Sequence, residues 1–186
     1  MAASVLVYYI VPHKFQWLVL LCFSYIYYLA GGVRYVGFLL FSTLVTWLIA
    51  LAVEKTEAKG SHKGARNLLV LGLLLNFGML GVVKYTNFAI ENLNALFHMN
   101  LRGMEILLPL GISFYTFQSS GYLLDVYWKR CEAEKNPVKY ALFVSFFPQI
   151  LQGPIGRYSR LAHQLYEPHK FEGKNITRGF ERILWG

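Results

Sequence analysis

ILLPLGISFYTFQSSGYLLDVYWKRCEAEKNPVKYALFVSFFPQILQGPIGRY, running from Ile106 to Tyr158, joins an uncharged apolar stretch, a basic loop and a second apolar stretch interrupted by proline. The first part, Ile106 to Leu124, has no charge over 19 residues, close to the roughly 20 a helix needs to cross about 30 Å of hydrocarbon. On a helix from Ile106 to Trp128, Gly111, Tyr115, Gln118, Tyr122 and Asp125 share one face, because residues three and four apart lie above one another. A polar face in an apolar helix belongs against protein or water rather than lipid. Gln118 and Asp125 either bond to neighbouring helices or line a path for substrate, and Lys129, one turn on, is positioned to pair with Asp125. The last part, Tyr140 to Gly156, has 17 uncharged residues but holds Pro148 and Pro154. Proline removes a helix hydrogen bond and costs about 3 kcal/mol inside a helix. This segment is expected to dip in and return, and Phe146 to Tyr158 to line an internal cavity, since broken backbone at membrane depth needs protein or water around it.

Working outward, the same reading extends to the rest of the chain. Phe15 to Val33 and Tyr35 to Val53 are further uncharged runs of 19 residues, and Asn67 to Val83 is a slightly shorter one. With Ile106 to Leu124 they give four expected spans, and Gly72, Gly78 and Gly81 suit close helix approach in the third of them. Met1 to Val11 is apolar but short and runs into Pro12, reading as the remnant of a first helix over residues 1–14. Thr86 to Leu101 has the spacing of an amphipathic interfacial helix. Residues 176–186 begin another helix. The fold class is therefore all-α, a polytopic membrane bundle of one domain.

Composition agrees: 55% of the 186 residues are hydrophobic and 15% charged, more apolar matter than a soluble domain this size buries. The net charge of +8 does not point to nucleic acid, because the basic residues punctuate apolar runs instead of forming one face. They read as topology signals. Lys55, Lys59, Lys63 and Arg66, then Lys129, Arg130, Lys135 and Lys139, mark two cytoplasmic segments, whereas Lys84 to Glu105 is poor in them and lies outside. Arg157 and Arg160 either hold a phosphate or carboxylate or serve as positive-inside anchors. Cys22 and Cys131 sit in unrelated places and form no expected disulfide.

Catalytic and metal signatures are sparse. His13, His62, His98, His163 and His169 fall in connecting, interfacial or polar segments and form no metal-binding spacing. Phosphate loops, nucleophile elbows and CxxC pairs are not found. No residue reads as catalytic and no cofactor as bound. The Asn175 sequon falls in a segment expected to be cytoplasmic.

LLPLGISFYTFQ (Leu107 to Gln118), GYLLDVYW (Gly121 to Trp128), ALFVSFFPQILQGPIGRY (Ala141 to Tyr158) and RGFERILWG (Arg178 to Gly186) together resemble the membrane-bound O-acyltransferase family, in the bacterial branch typified by the alginate O-acetylation membrane subunit. Tyr8 to Tyr28 resembles the family's opening hairpin. The likeness implies a bundle of helices around a thin core with a tunnel, in the bacterial cytoplasmic membrane. It also implies acetyl transfer from a donor such as acetyl-CoA or an acylated carrier toward an extracytoplasmic polysaccharide, with a separate extracytoplasmic acetyltransferase as partner. A tunnel-lining role is carried over to Gln118, Asp125, Gln152, Gly153, Pro154, Arg157 and Tyr158. The catalytic histidine of the family has no matching residue here, so the chain is expected to be an N-terminal portion that is inactive without the remainder. A half-bundle would leave the Gln118 and Asp125 face open and express poorly. A non-catalytic scaffold and a transporter fragment are the competing expectations.

Overall fold

The computed structural model describes residues 2–97, 111–152, 156–167 and 173–185, and among these every regular element is helical. The chain forms α1 (Ala2–Ile10), α2 (Gln16–Gly31), α3 (Val33–Ala58), α4 (His62–Phe97), α5 (Ile112–Tyr127), α6 (Pro137–Ser145), α7 (Phe147–Gln152), α8 (Tyr158–Tyr166) and α9 (Gly173–Trp185). A short 3-10 turn at His13–Phe15 links α1 to α2.

Two helices among the described residues are long and apolar enough to cross a membrane, over Val36–Ala58 and His62–Leu96. Their outer faces show Leu40, Phe41, Leu44, Leu48, Val70, Leu71 and Leu74, the surface a bilayer would cover. The chain is thus a helical protein with a membrane location. The other expected spans are shorter where described: α2 and the described part of the Ile106 stretch, α5, have 16 residues each, or about 24 Å of helix. Residues 106–110 lie outside the described residues.

One expected boundary is absent. The segment from Thr86 is not a separate interfacial helix but the continuation of α4, unbroken to Phe97, with residues 98–101 outside the described residues. No proline interrupts α4, and the Thr86 hydroxyl donates back to the Val82 carbonyl as it would within any helix. At 36 residues, α4 is about 54 Å long, longer than the roughly 30 Å of hydrocarbon. Residues 2–10 also differ from a mere remnant: α1 lies on α2 and buries Ser4 and Tyr8.

The turn from α2 to α3 rests on Gly32, whose φ of 132° only glycine adopts without strain. The pair α3 and α4 is clasped from within: Asn76 receives the Ser42 hydroxyl at 2.8 Å and donates to Thr46 Oγ1 at 2.9 Å and the Gly72 carbonyl at 3.0 Å. Among the described residues, Gly72 alone of the three glycines expected to admit a neighbour does so. A Cβ there would strike Leu123 and Ile49, whereas Gly78 and Gly81 face open space.

The two basic segments meet at one end of the bundle. Lys129 pairs with Glu57 at 3.3 Å, the Ala133 N–H donates to Glu54 at 2.9 Å, and the Trp47 indole donates to the Glu134 carbonyl at 2.7 Å. The start of α5 lies at the other end, beside Tyr28 near the end of α2.

Candidate functional site

Helix α5 is the centre of the bundle, flanked by α3 and α4. It begins at Gly111, whose left-handed φ of 72° and contact with Ile150 leave no room for a side chain. It ends in a Schellman turn: the Arg130 N–H reaches the Asp125 carbonyl, the Lys129 N–H reaches the Val126 carbonyl, and Lys129 takes the left-handed conformation at φ 56°. That turn redirects the Lys129 side chain. The expected Asp125–Lys129 pair does not form; Arg130 pairs with Asp125 at 3.5 Å and Lys129 crosses to Glu57. Asp125 is therefore at the basic end of α5, away from mid-helix.

The expected polar face is real but is not open. Tyr115, Gln118, Tyr122 and Asp125 are all buried within this chain, so no absent neighbour is needed to cover them. Burial extends round the helix to Thr116, Ser119 and Ser120, three hydroxyls outside the expected face. The Gln118 amide donates to the Phe143 carbonyl at 3.0 Å and approaches Gln149 Oε1 at 3.5 Å. Its own oxygen, the hydroxyls of Thr116, Ser119, Ser120 and Ser145, and those of Tyr28 and Tyr115 have no hydrogen-bond partner among the described residues. The Tyr140 hydroxyl lies near Ser119 and Thr46 without a hydrogen bond of good geometry. Buried polar groups cost free energy unless satisfied, so this set marks an interior suited to water or to a polar ligand.

The proline-bearing segment is broken as the sequence implies. Asn136 caps α6, accepting from the Val138 and Lys139 N–H groups, with Pro137 in the first turn where its missing N–H is harmless. The helix stops at Ser145 because Pro148 has no N–H for the Val144 carbonyl four residues back and its ring would collide with it. Phe146 turns extended at ψ 101°, and α7 follows with Phe147 stacked on Tyr27 and its N–H donating to Ser24 Oγ at 3.3 Å. Ile150 then sits against Gly111, at the far end of α5. By Tyr158 the chain is back at the basic end, where the Tyr158 hydroxyl donates to Glu134 Oε2 at 2.7 Å. Tyr166 closes the same loop by donating to the Lys139 carbonyl at 2.7 Å. Descent and return occur within 22 residues.

Glu134, which sequence reasoning passed over, is the junction of this return. Its carboxylate accepts from Tyr158 and from the Asn136 N–H, and its own N–H donates to the Tyr122 hydroxyl at 2.8 Å. Tyr122, Tyr140, Phe143 and Tyr158 stack around one another with centroids 4.7 to 6.3 Å apart. The only sequence hint is that Glu134 precedes an Asn-Pro helix start. Ser145 was likewise missed, and Gln149 was covered only as part of the Phe146 to Tyr158 stretch, because nothing local says that α6 and α7 fold against α5.

Of the residues assigned to the path by resemblance, the structure brings Gln118 and Tyr158 to the two ends of this core and places Asp125 between α5 and its basic cap. Arg157 starts α8 with its side chain exposed. Gln152 ends α7, but its side chain, Gly153 and Pro154 lie outside the described residues. His13, His62 and His163 are exposed; His62 contacts Glu57 at 2.6 Å and His163 contacts Glu167 at 3.0 Å. His98 and His169 lie outside the described residues. Beside the Glu134 junction a cleft of about 400 Å³ is lined by Cys131, Tyr158, His163 and Tyr166 among others. Burial, then the negative charges of Asp125 and Glu54, push the Cys131 thiol up to about 11.

Comparison with known proteins gives this core a setting. The chain is 34% identical over 186 residues to the probable alginate O-acetylase AlgI of Azotobacter vinelandii, covering 96% of this chain and 36% of that protein. It is 33% identical to the peptidoglycan O-acetyltransferase of Helicobacter pylori (88% of this chain, 35% of that protein). The teichoic acid D-alanyltransferase of Lacticaseibacillus rhamnosus is a more distant match, 28% identical over 83% of this chain and 35% of its own length. The chain thus spans about a third of the length of the curated relatives it matches. No family model matches the chain, and no solved structure does.

Proposed function

We propose that this chain, which belongs to the membrane-bound O-acyltransferase family in its alginate O-acetylase-like branch, forms the part of an acetyltransferase that guides an acyl group through the bacterial cytoplasmic membrane toward an extracytoplasmic polysaccharide. The observation that carries this is the interior between α5 and the returning α6–α7 segment: orphaned amide and hydroxyl groups line it, and the likeness to alginate O-acetylases runs through the same residues. The Gln118 oxygen and the Ser119 and Ser145 hydroxyls would hydrogen-bond the polar stretches of an acyl donor, acetyl-CoA or an acylated carrier. Tyr158 and Glu134 hold the return of the segment at the basic, cytoplasmic end, where such a donor would enter. In this reading α6 and α7 enter the membrane and turn back without crossing it.

The acid-base histidine of the transfer is supplied by chain beyond Gly186, so residues 1–186 alone do not turn over, and a separate extracytoplasmic acetyltransferase takes the acetyl group onward. The position of Asp125, ion-paired at a helix end, gives a transporter reading little to use.

The test is acetyl transfer to polysaccharide by membranes carrying the longer reading frame. Gln118→Leu and Ser145→Ala together should lower transfer at least about tenfold while the protein still accumulates in the membrane. Transfer at the wild-type rate would sink the conduit assignment, and transfer by residues 1–186 alone would sink the division of labour.

A further inference from the structure

On the opposite side of the α6–α7 break from α5 lies a second, mainly apolar groove of about 390 Å³, within the size range of ligand sites. Val5 and Tyr8 of α1, Leu20 of α2, Phe146 and Pro148 at the break, and Leu161 of α8 line it. Nothing in the conduit described above uses these residues. Gln164, also lining the groove, lies one turn after Arg160 on α8, and Arg157 is the residue that leads into α8, so both arginines stand at the start of its α8 wall. Both are exposed and neither has an acidic partner among the described residues. Glu167, the nearest acid along α8, contacts His163. Arg157 also begins α8 without a side-chain cap, so its own side chain does not meet the first N–H groups, which carry partial positive charge. Lys14 stands at the turn joining α1 and α2, the two helices that form the groove's other wall.

We propose that this groove seats an acyl chain of an anionic phospholipid from the cytoplasmic leaflet, with the phosphate held at Arg157 and Arg160. An apolar slot beside a cluster of uncompensated cationic groups fits a molecule with an alkyl chain at one end and a negative charge at the other. Acyl chains alone would leave the arginines without a role, and a free anion would leave the slot empty. A bound lipid would also fill the space behind Phe146 and Pro148, supporting the break that starts the return of the chain.

The test uses protein purified from membranes in mild detergent, exchanged against vesicles of phosphatidylglycerol or phosphatidylcholine, with retained lipid counted by native mass spectrometry. Phosphatidylglycerol should be retained at least about tenfold more strongly. Replacing both arginines with glutamine should cut that preference by up to about 30-fold while acyl-chain binding persists. Val5→Trp, at an exposed rim position, should reduce retention of both lipids; Leu161→Phe repeats the test from the α8 wall should that variant fail to fold. Equal retention of the two lipids, unchanged retention in both groove-filling variants, or no retained lipid at all would each overturn the proposal. So would equal binding of glycerol phosphate, which has no chain to seat.

Discussion

The pair α3 and α4 and the unit built from α5, α6 and α7 solve opposite problems with similar amounts of apolar sequence. The first pair is long and continuous, and turns leucine and phenylalanine outward; the polar groups where α3 and α4 meet at mid-length are matched, as Asn76 is by Ser42, Thr46 and Gly72. The second unit is short and broken, is buried on nearly every side, and leaves several hydroxyls and the Gln118 oxygen unmatched. A scaffold that only needed to persist in lipid would not retain unmatched polar groups in its best-packed region. The contrast separates two helices with apolar outer faces from a buried unit that carries orphaned polar groups.

The sharpest way to break that contrast is to cut into the aromatic cluster. Phe143→Ala empties a fully buried site among Tyr122, Tyr140 and Tyr158 and should cost about 3 to 5 kcal/mol. Phe41→Ala on the outward face of α3 should cost less than about 0.5 kcal/mol. Reversible unfolding in detergent reports both, and equal losses would erase the distinction between core and lipid face.

Cys131 probes how closed the basic cap is. In a Cys22→Ser background, its alkylation by iodoacetamide at pH 8 should run about a hundredfold slower than in the unfolded chain, because a thiol raised from 9.0 to about 11 holds that much less thiolate. Since the folded value is the higher one, the associated stability is present below about pH 9 and drains away as pH climbs toward about 11. Alkylation at the unfolded rate would mean that the cap opens freely.

Glu134→Gln keeps the shape of the junction but weakens the hydrogen bond from Tyr158, an expected loss of about 1.5 kcal/mol. It should also expose the segment around Arg157 to protease, and unchanged cleavage would show that the return does not depend on Glu134. Asn76→Leu should cost less than Glu134→Gln, about 1 kcal/mol or less, since polar contacts between membrane helices average near 0.6 kcal/mol. A loss larger than that of Glu134→Gln would place the structural weight in α3 and α4 instead.

Much of this was legible beforehand, and the misses have physical causes. The polar positions of α5 follow from helical spacing, and the break before Pro148 follows from a missing N–H. Lys129 was assigned to Asp125 on spacing alone, which assumes the helix continues; the left-handed turn at Lys129 sends the side chain to Glu57. Thr86 onward was separated from its span because polarity rises there, yet polarity does not stop a helix that has no proline. Gly78 and Gly81 look like Gly72 in sequence, and only the packing of Leu123 distinguishes them.

The sequence by itself determined which segments are helical and apolar, where α6 must break, that the basic residues gather at one end, and the kinship with O-acetyltransferases. These depend on local periodicity, backbone chemistry and residue identity. Tertiary structure alone decided that the Gln118 face is closed by α6 and α7, that Glu134 ties the return of Tyr158, and that Arg130 rather than Lys129 answers Asp125. The first two join groups far apart in the chain, whose meeting depends on how the helices and the loop after α5 pack; the third depends on the left-handed turn at Lys129, which helical spacing does not foresee.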